Sequence, residues 1–267
     1  MPKDLRSFIN DVLKERPGEI LEVEQEVDPK FEITGIASKS GGGKRFAFGT
    51  PSSGVLPAVL CRKVKGSKLP VIINLTADYD RLALALGTTR DNMVQRFAYA
   101  PETPIKPVFI DKSQAPVKEV ILTGKDARLS LLPIPTHNEM DAGPFITSGC
   151  MVCKDPDSGA INMGVYRHQV EGDYQLGLWA WDTHHAAYIR RRYEAMGKEL
   201  EVAIAIGHHP CVVLAAVSRR PGIGGEYEEA GALLGEPLEL VPAETVDLPV
   251  PARAEIIIEG KILPGQR

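Results

Sequence analysis

Four prolines, Pro101, Pro104, Pro107 and Pro116, fall within residues 101–117. Proline has no backbone N–H and a fixed φ, so this stretch cannot run through a helix interior or a central strand. It divides the chain into parts with different periodicities. Ahead of it, Leu5, Phe8, Ile9, Val12 and Leu13 lie at helical spacing, and Pro17-Gly18 ends that helix. Residues 19–27 alternate apolar and acidic, as a half-exposed strand does. Asp28-Pro29 supplies an N-cap and a first-turn proline for a helix to about Ser38. Strands are expected over 55–62 and 69–75, and helices over 78–86 and 89–99. This alternation predicts a layered α/β domain over residues 1–115.

Behind the prolines the elements shorten. Residues 117–123, 146–154, 160–168 and 175–181 are strand candidates, with a hairpin turn at Asp155-Pro-Asp-Ser-Gly159. Helices are expected over 184–197 and 226–234. Further strands are expected over 201–206, 211–217, 238–242 and 254–263. Residues 116–267 are thus mostly β with two helices, which suits a small barrel. The fold class is α+β.

At 267 residues the chain can bury a core that needs no disulfides. Its four cysteines, Cys61, Cys150, Cys153 and Cys211, are few and irregularly placed, which fits a reducing cytoplasm. The start, Met1-Pro-Lys-Asp-Leu-Arg-Ser-Phe, has no apolar signal core, and no apolar run reaches the ~20 residues that span a bilayer. With net charge -4 and no long basic run, nucleic acid is a poor partner. The densest basic patch, Tyr188-Ile-Arg-Arg-Arg-Tyr193, reads as a solvated helix face. A soluble, cytoplasmic protein is expected.

Asn162, His185 and Glu226 offer an amide oxygen, an imidazole nitrogen and a carboxylate, a mixed set for a divalent cation. Arg167 adds a fixed charge near Asn162, and a metal beside an arginine makes a socket for phosphate. Each residue also has a plainer reading. His185 and Glu226 begin expected helices, where Glu complements the dipole. Asn162 and Arg167, five apart, face opposite sides unless the strand bends at Gly164. Gly41-Gly-Gly-Lys44 lacks the earlier glycine and the following Ser/Thr of a phosphate loop, and reads as a turn. Cys150-Met-Val-Cys153 has redox or zinc spacing, but no second pair accompanies it, and in a strand its side chains point to opposite faces. Gly222-Ile-Gly224-Gly225 lacks the dinucleotide fingerprint and reads as a flexible loop.

Taken in order, several segments resemble the UbiD family of prenylated-FMN-dependent decarboxylases. They are Asp4-Leu-Arg-Ser-Phe-Ile9, Asp141-Ala-Gly-Pro-Phe-Ile-Thr147, Asn162-Met-Gly-Val-Tyr-Arg167 and His185 with its helix through Met196-Gly197. Gly225-Glu226-Tyr227 leading into Ala230-Gly-Ala-Leu-Leu-Gly235 follows, then Asp247-Leu-Pro-Val-Pro251 through Glu259-Gly260. The resemblance covers essentially the whole chain, and the ordered set is far more specific than any one segment.

The resemblance implies that residues 116–267 form a split β-barrel that binds prenylated FMN. Asn162, His185 and Glu226 would hold Mn2+ against the flavin phosphate. Met163, Gly164, Val165, Tyr166, Arg167 and His184 would line the cofactor. K+ would sit beside the metal on carbonyls of Ala216, Val217 and Ser218, read as a strand end. Arg167 would be catalytic, orienting a substrate carboxylate bidentately. The implied activity is reversible, non-oxidative decarboxylation of an aromatic, heteroaromatic or α,β-unsaturated acid. The cofactor would come from a flavin prenyltransferase, and the full-length protein would be a homo-oligomer. The family's acid–base pair lies in a segment like Glu-Gly-Pro-Phe-Gly-Glu, which does not occur in this sequence. On that ground the C-terminal domain is expected to be absent and residues 1–267 inactive alone. The other reading is a non-catalytic flavin- or metal-binding module, or one subunit of a multi-protein carboxylase.

Overall fold

In a computed structural model, described for residues 2–40, 56–219 and 221–266, helix α1 (Leu5–Glu15) opens on a capping box. The Asp4 carboxylate accepts from the Ser7 amide at 2.7 Å, and the Ser7 hydroxyl accepts from the Asp4 amide at 2.9 Å. The helix buries Phe8 and Val12. Strand β1 (Ile20–Val27) pairs in parallel with β2 (Ala58–Val64), which pairs antiparallel with β3 (Val71–Ile73). Helix α2 (Glu32–Ser40) starts later than Asp28-Pro29 suggests. Helix α3 (Tyr79–Ala85) is N-capped by Asp78, and α4 (Met93–Tyr99) follows. The expected turn at Gly41–Lys44 and the first residue of the expected 55–62 strand lie outside the described residues.

The proline stretch is irregular apart from 3-10 turns and the two-residue strand β4 (Val108–Phe109). Residues 117–123, expected as a strand, form none. They hold strand-forming side chains but join no ladder: Pro116–Lys118 is a 3-10 turn, and Val120 is 75% exposed.

Strands β5 (Phe145–Ile146), β6 (Cys150–Lys154), β7 (Ile161–Val165), β8 (Arg167–Gly172) and β9 (Gln175–Trp179) come next. They are followed by α5 (His185–Ala195), β10 (Leu200–Ile206), α6 (Pro210–Ala216) and α7 (Glu226–Leu234). The last elements are β11 (Glu239–Pro242), β12 (Pro249–Pro251) and β13 (Ile256–Ile262). A four-stranded sheet runs β13-β10-β6-β7, and three-stranded sheets run β5-β8-β9 and β12-β11-β4. Among the described residues no sheet closes on itself as a barrel.

The expected strands 146–154 and 160–168 each prove to be two strands in different sheets. The second break falls at Tyr166. There the chain folds back so that the Tyr166 ring covers Gly164, where an added Cβ would lie 2.8 Å from the ring. Only glycine leaves room for that corner. The first break is the neighbouring turn, 147–149, so both strands cross from one sheet to the other side by side.

The four-stranded sheet is covered on both faces. Cys150, Val152, Met163, Ala203 and Ala205 face the cluster that holds α6, α7 and α1. Met151, Cys153, Val202 and Ile204 face the cluster under α5. Residues 211–217, expected as a strand, are helix α6. His209 caps it by accepting the Cys211 amide, and Pro210 takes the first position. Cys211, Val212, Ala215 and Ala216 are all buried, and a helix apolar all round has no period-3.6 signal.

Candidate functional site

Strand β7 is the edge of its sheet, so elements can approach its open side. Asn162 pairs with Cys153 across the ladder and is 2% exposed. Its side chain shares a sheet face with Gly164, while Ile161, Met163 and Val165 pack into the cluster on the other face. Met163 and Val165 can therefore offer a ligand only backbone.

Helix α5 begins against the Asn162 face. His185 is its first residue, and its Nδ1 lies 3.2 Å from Asn162 Oδ1. The Asn162 Nδ2 has no hydrogen-bond partner among the described residues. Its polar neighbours are the Cys153 thiol and the Tyr166 hydroxyl. His184 is the N-cap of α5; its ring meets Tyr166 edge-on at 5.6 Å between centroids, and its Nδ1 is buried without a partner among the described residues.

Glu226 opens α7 and is buried. Its charge acts on both Cys153 and Tyr166, which places it beside the same end of β7. Burial pushes the Tyr166 phenol up to about 12, and the Glu226 charge adds to that rise. Burial pushes the Cys153 thiol up to about 12 and raises Cys150 too, so both stay protonated at neutral pH. The Cys150–Cys153 pair is structural: its side chains lie in clusters on opposite faces.

Three of the four residues singled out for chemistry thus gather at one edge: Asn162, His185 and Glu226. Among the described residues no three His, Cys, Asp or Glu side chains group at metal-holding distance. The convergence instead combines an amide, an imidazole and a carboxylate. Asn162 Oδ1, His185 Nδ1 and the Glu226 carboxylate carry the lone pairs that a divalent cation takes, and the first two already lie 3.2 Å apart, so the donors fit such an ion.

Arg167 begins β8, beyond the Tyr166 corner. The bend puts it on the other sheet, where its guanidinium carbon sits 5.2 Å from the Phe145 ring centroid. His137 is near enough to feel the Arg167 charge, although burial is the main cause of its lowered pKa. Nothing in the proline-rich run before His137 signals that position. Ala216, Val217 and Ser218, expected as a strand end, are the last residue of α6, its C-cap and the residue after it. Ala216 packs in the Met163 cluster, on the sheet face away from Asn162. Trailing carbonyls of a helix end are cation-compatible, as a strand end would be.

Residues 108–267 match the 3-octaprenyl-4-hydroxybenzoate carboxy-lyase Rift-related domain, and residues 13–100 match the N-terminal domain of the same family. The chain is 33% identical over 279 residues to a phenolic acid decarboxylase of Sedimentibacter hydroxybenzoicus, covering 99% of this chain and 55% of that protein. It thus spans about half the length of that relative. The fold matches the UbiD-class enzyme HmfF of Pelotomaculum thermopropionicum, solved as an evolved dimeric form with prFMN. There the TM-score is 0.89 and identity 39%, over 99% of this chain and 58% of that one. The 3,4-dihydroxybenzoic acid decarboxylase of Klebsiella pneumoniae matches with TM-score 0.87 and 31% identity, over 100% of this chain and 55% of that one. Among the described residues no helix is long and apolar enough to cross a membrane. With both domain matches in chain order and together taking in most of its length, the chain belongs to the UbiD family.

Proposed function

We propose that this chain carries the cofactor-holding part of a prenylated-FMN-dependent decarboxylase of aromatic, heteroaromatic or α,β-unsaturated acids. The observation that carries this reading is the 3.2 Å approach of His185 Nδ1 to Asn162 Oδ1 beside buried Glu226. Two neutral donors and one carboxylate give a +1 centre with Mn2+, suited to a flavin phosphate. Carbonyls at the end of α6, residues 216–218, are the candidates for K+. When bound, the prenylated flavin supplies the electron sink that lets carbon dioxide leave.

In this reading the chain's own residues hold and orient. Asn162, His185 and Glu226 fix the phosphate end. Backbone from Met163 to Val165 would line the cofactor, with Tyr166 and His184 packed at the corner. Arg167 presents its planar guanidinium fork to the substrate carboxylate. Residues 1–115 and 116–267 are taken as two domains. Supply by a flavin prenyltransferase and assembly of the full-length protein into a homo-oligomer belong to the same proposal.

Co-expression with a flavin prenyltransferase tests it. Purified protein should carry flavin absorbance and a bound mass matching prenylated FMN, with Mn2+ present. Protein that retains neither flavin nor Mn2+, while folding normally by circular dichroism, would sink the proposal.

A further inference from the structure

Glu226 reaches its place through the loop Pro221-Gly-Ile-Gly-Gly225. Within it, Ile223 is half-buried against the cluster that holds Cys153, Tyr166 and Ile189. Cys153 pairs across the ladder with Asn162, so Ile223 anchors the loop on the Asn162 side of the sheet. Gly224 then lies directly against the entry to β7. A Cβ there would stand 3.2 Å from the Ala160 Cβ and 3.2 Å from the Ile161 carbonyl oxygen, tighter than ordinary van der Waals contact. Gly225 is the N-cap of α7 at φ +97 and makes no side-chain cap bond. Glu226 follows as the first helical residue and is buried.

The contact therefore falls on the residue just before Asn162 in β7, and Gly224 itself stands two residues before Glu226. With so little chain on either side, the clearance between Gly224 and Ile161 passes directly into the spacing of the two side chains. We propose that Gly224 is a positioning residue of the candidate metal site. Its missing side chain lets the loop close on β7, and that approach sets how far the Glu226 carboxylate stands from Asn162 and His185. This rests on the reading of those three residues as cation ligands, and it adds what governs their spacing. Gly222 supplies an internal comparison. Its φ is +86 against +92 at Gly224, so alanine meets similar left-handed backbone strain at either position. Nothing lies within 4 Å of a Cβ at Gly222, however. The difference between the two alanine variants reads the close approach.

Residues 1–267 titrated with Mn2+, read from the free-ion electron-spin signal, test this. Gly224→Ala should bind about tenfold more weakly than wild type, and Gly222→Ala should stay within about twofold of it. Adding Ala160→Gly takes away one of the two obstructions and should return part of the affinity to Gly224→Ala. A glycine that serves only the stability of the loop would lower the urea midpoint without this split. Equal affinities in the two alanine variants, or no recovery with Ala160→Gly, overturn the proposal. Should Gly224→Ala not fold by circular dichroism, Ala160→Val crowds the same gap from the β7 side. It should weaken Mn2+ in its place, and unchanged affinity there overturns the proposal as well. Wild type that binds no Mn2+ overturns the metal reading and this one with it. Wild type that binds, with both alanine variants equal to each other, overturns this one alone.

Discussion

His185 Nδ1 lies 3.2 Å from Asn162 Oδ1, although 23 residues separate them. The contact exists because β7 is a sheet edge and α5 starts against its open side. If both atoms face one cation, Asn162→Ala should lower Mn2+ affinity at least about tenfold, the scale on which even outer partners of metal ligands matter. Asn162→Asp keeps an oxygen in place, adds charge, and should bind at least as well as wild type. Glu226→Gln should weaken binding. Titration of the free Mn2+ electron-spin signal reads all three, and unchanged affinity in both Asn162→Ala and Glu226→Gln would remove these residues as ligands.

Gly164 is the hinge of the corner that separates Asn162 from Arg167. Gly164→Ala puts a methyl 2.8 Å from the Tyr166 ring, which itself packs against His184. Overpacking of this kind costs about 1–3 kcal/mol. Stability should fall, and Mn2+ binding should weaken as Tyr166 and His184 shift. In a Tyr166→Ala background the same substitution should cost much less. An equal cost in both backgrounds, read from urea midpoints, would show that the ring is not the obstacle.

The sequence makes some of this legible and hides the rest for physical reasons. Glu19–Val27, the Asp155–Gly159 turn and Glu226–Leu234 read correctly because alternation, turn residues and helical spacing act locally. Helix α6 hides because every side of it is apolar, although Pro210 at its first position was a visible start signal. The 117–123 segment misleads in the opposite way, since Val and Ile favour a strand only where a ladder exists to join. The split at Tyr166 was open in advance only as a bend at Gly164. Asn162, His185 and Glu226 were nameable together through family likeness, because nothing in their spacing says that two helix starts meet one strand edge. Which residues flank Arg167 depends on the β8–β9 register, a long-range property.

Arg81 is fully buried and serves structure. Its guanidinium donates to the carbonyls of Leu56 at 2.6 Å, Asn74 at 3.0 Å and Leu75 at 3.1 Å, and to Glu19 at 3.1 Å. It thereby ties α3 to β1 and to the loop after β3. Arg81→Met leaves three carbonyls without this donor and a mostly buried carboxylate with only Arg16, 3.7 Å away, at a cost of about 3–5 kcal/mol. Arg81→Lys should recover little, because a point charge cannot reach four acceptors at once. A urea midpoint in either variant close to wild type would contradict this role.

Acid sensitivity should come mainly from three buried imidazoles, with half-buried His137, whose pKa burial also lowers, adding to it. Burial holds His168, His208 and His209 at about 4, below the ordinary 6.5. For His209 the nearby Lys3 charge adds to that depression and Asp4 opposes it. A depressed histidine is protonated more readily in the unfolded chain. Between 6.5 and about 4 the unfolded state therefore binds more protons, and stability falls as pH falls. Each imidazole contributes a slope of up to about 1.4 kcal/mol per pH unit within that window. The lowered carboxylates Asp28, Asp111 and Asp155 titrate below 3.8, so they leave the upper part of the window to the histidines. Urea midpoints should be level above pH 7 and drop steeply from 6.5 to 5. His168→Leu should make that drop shallower by about one imidazole's share. A midpoint level from 7 to 5 would mean that these rings can charge in place.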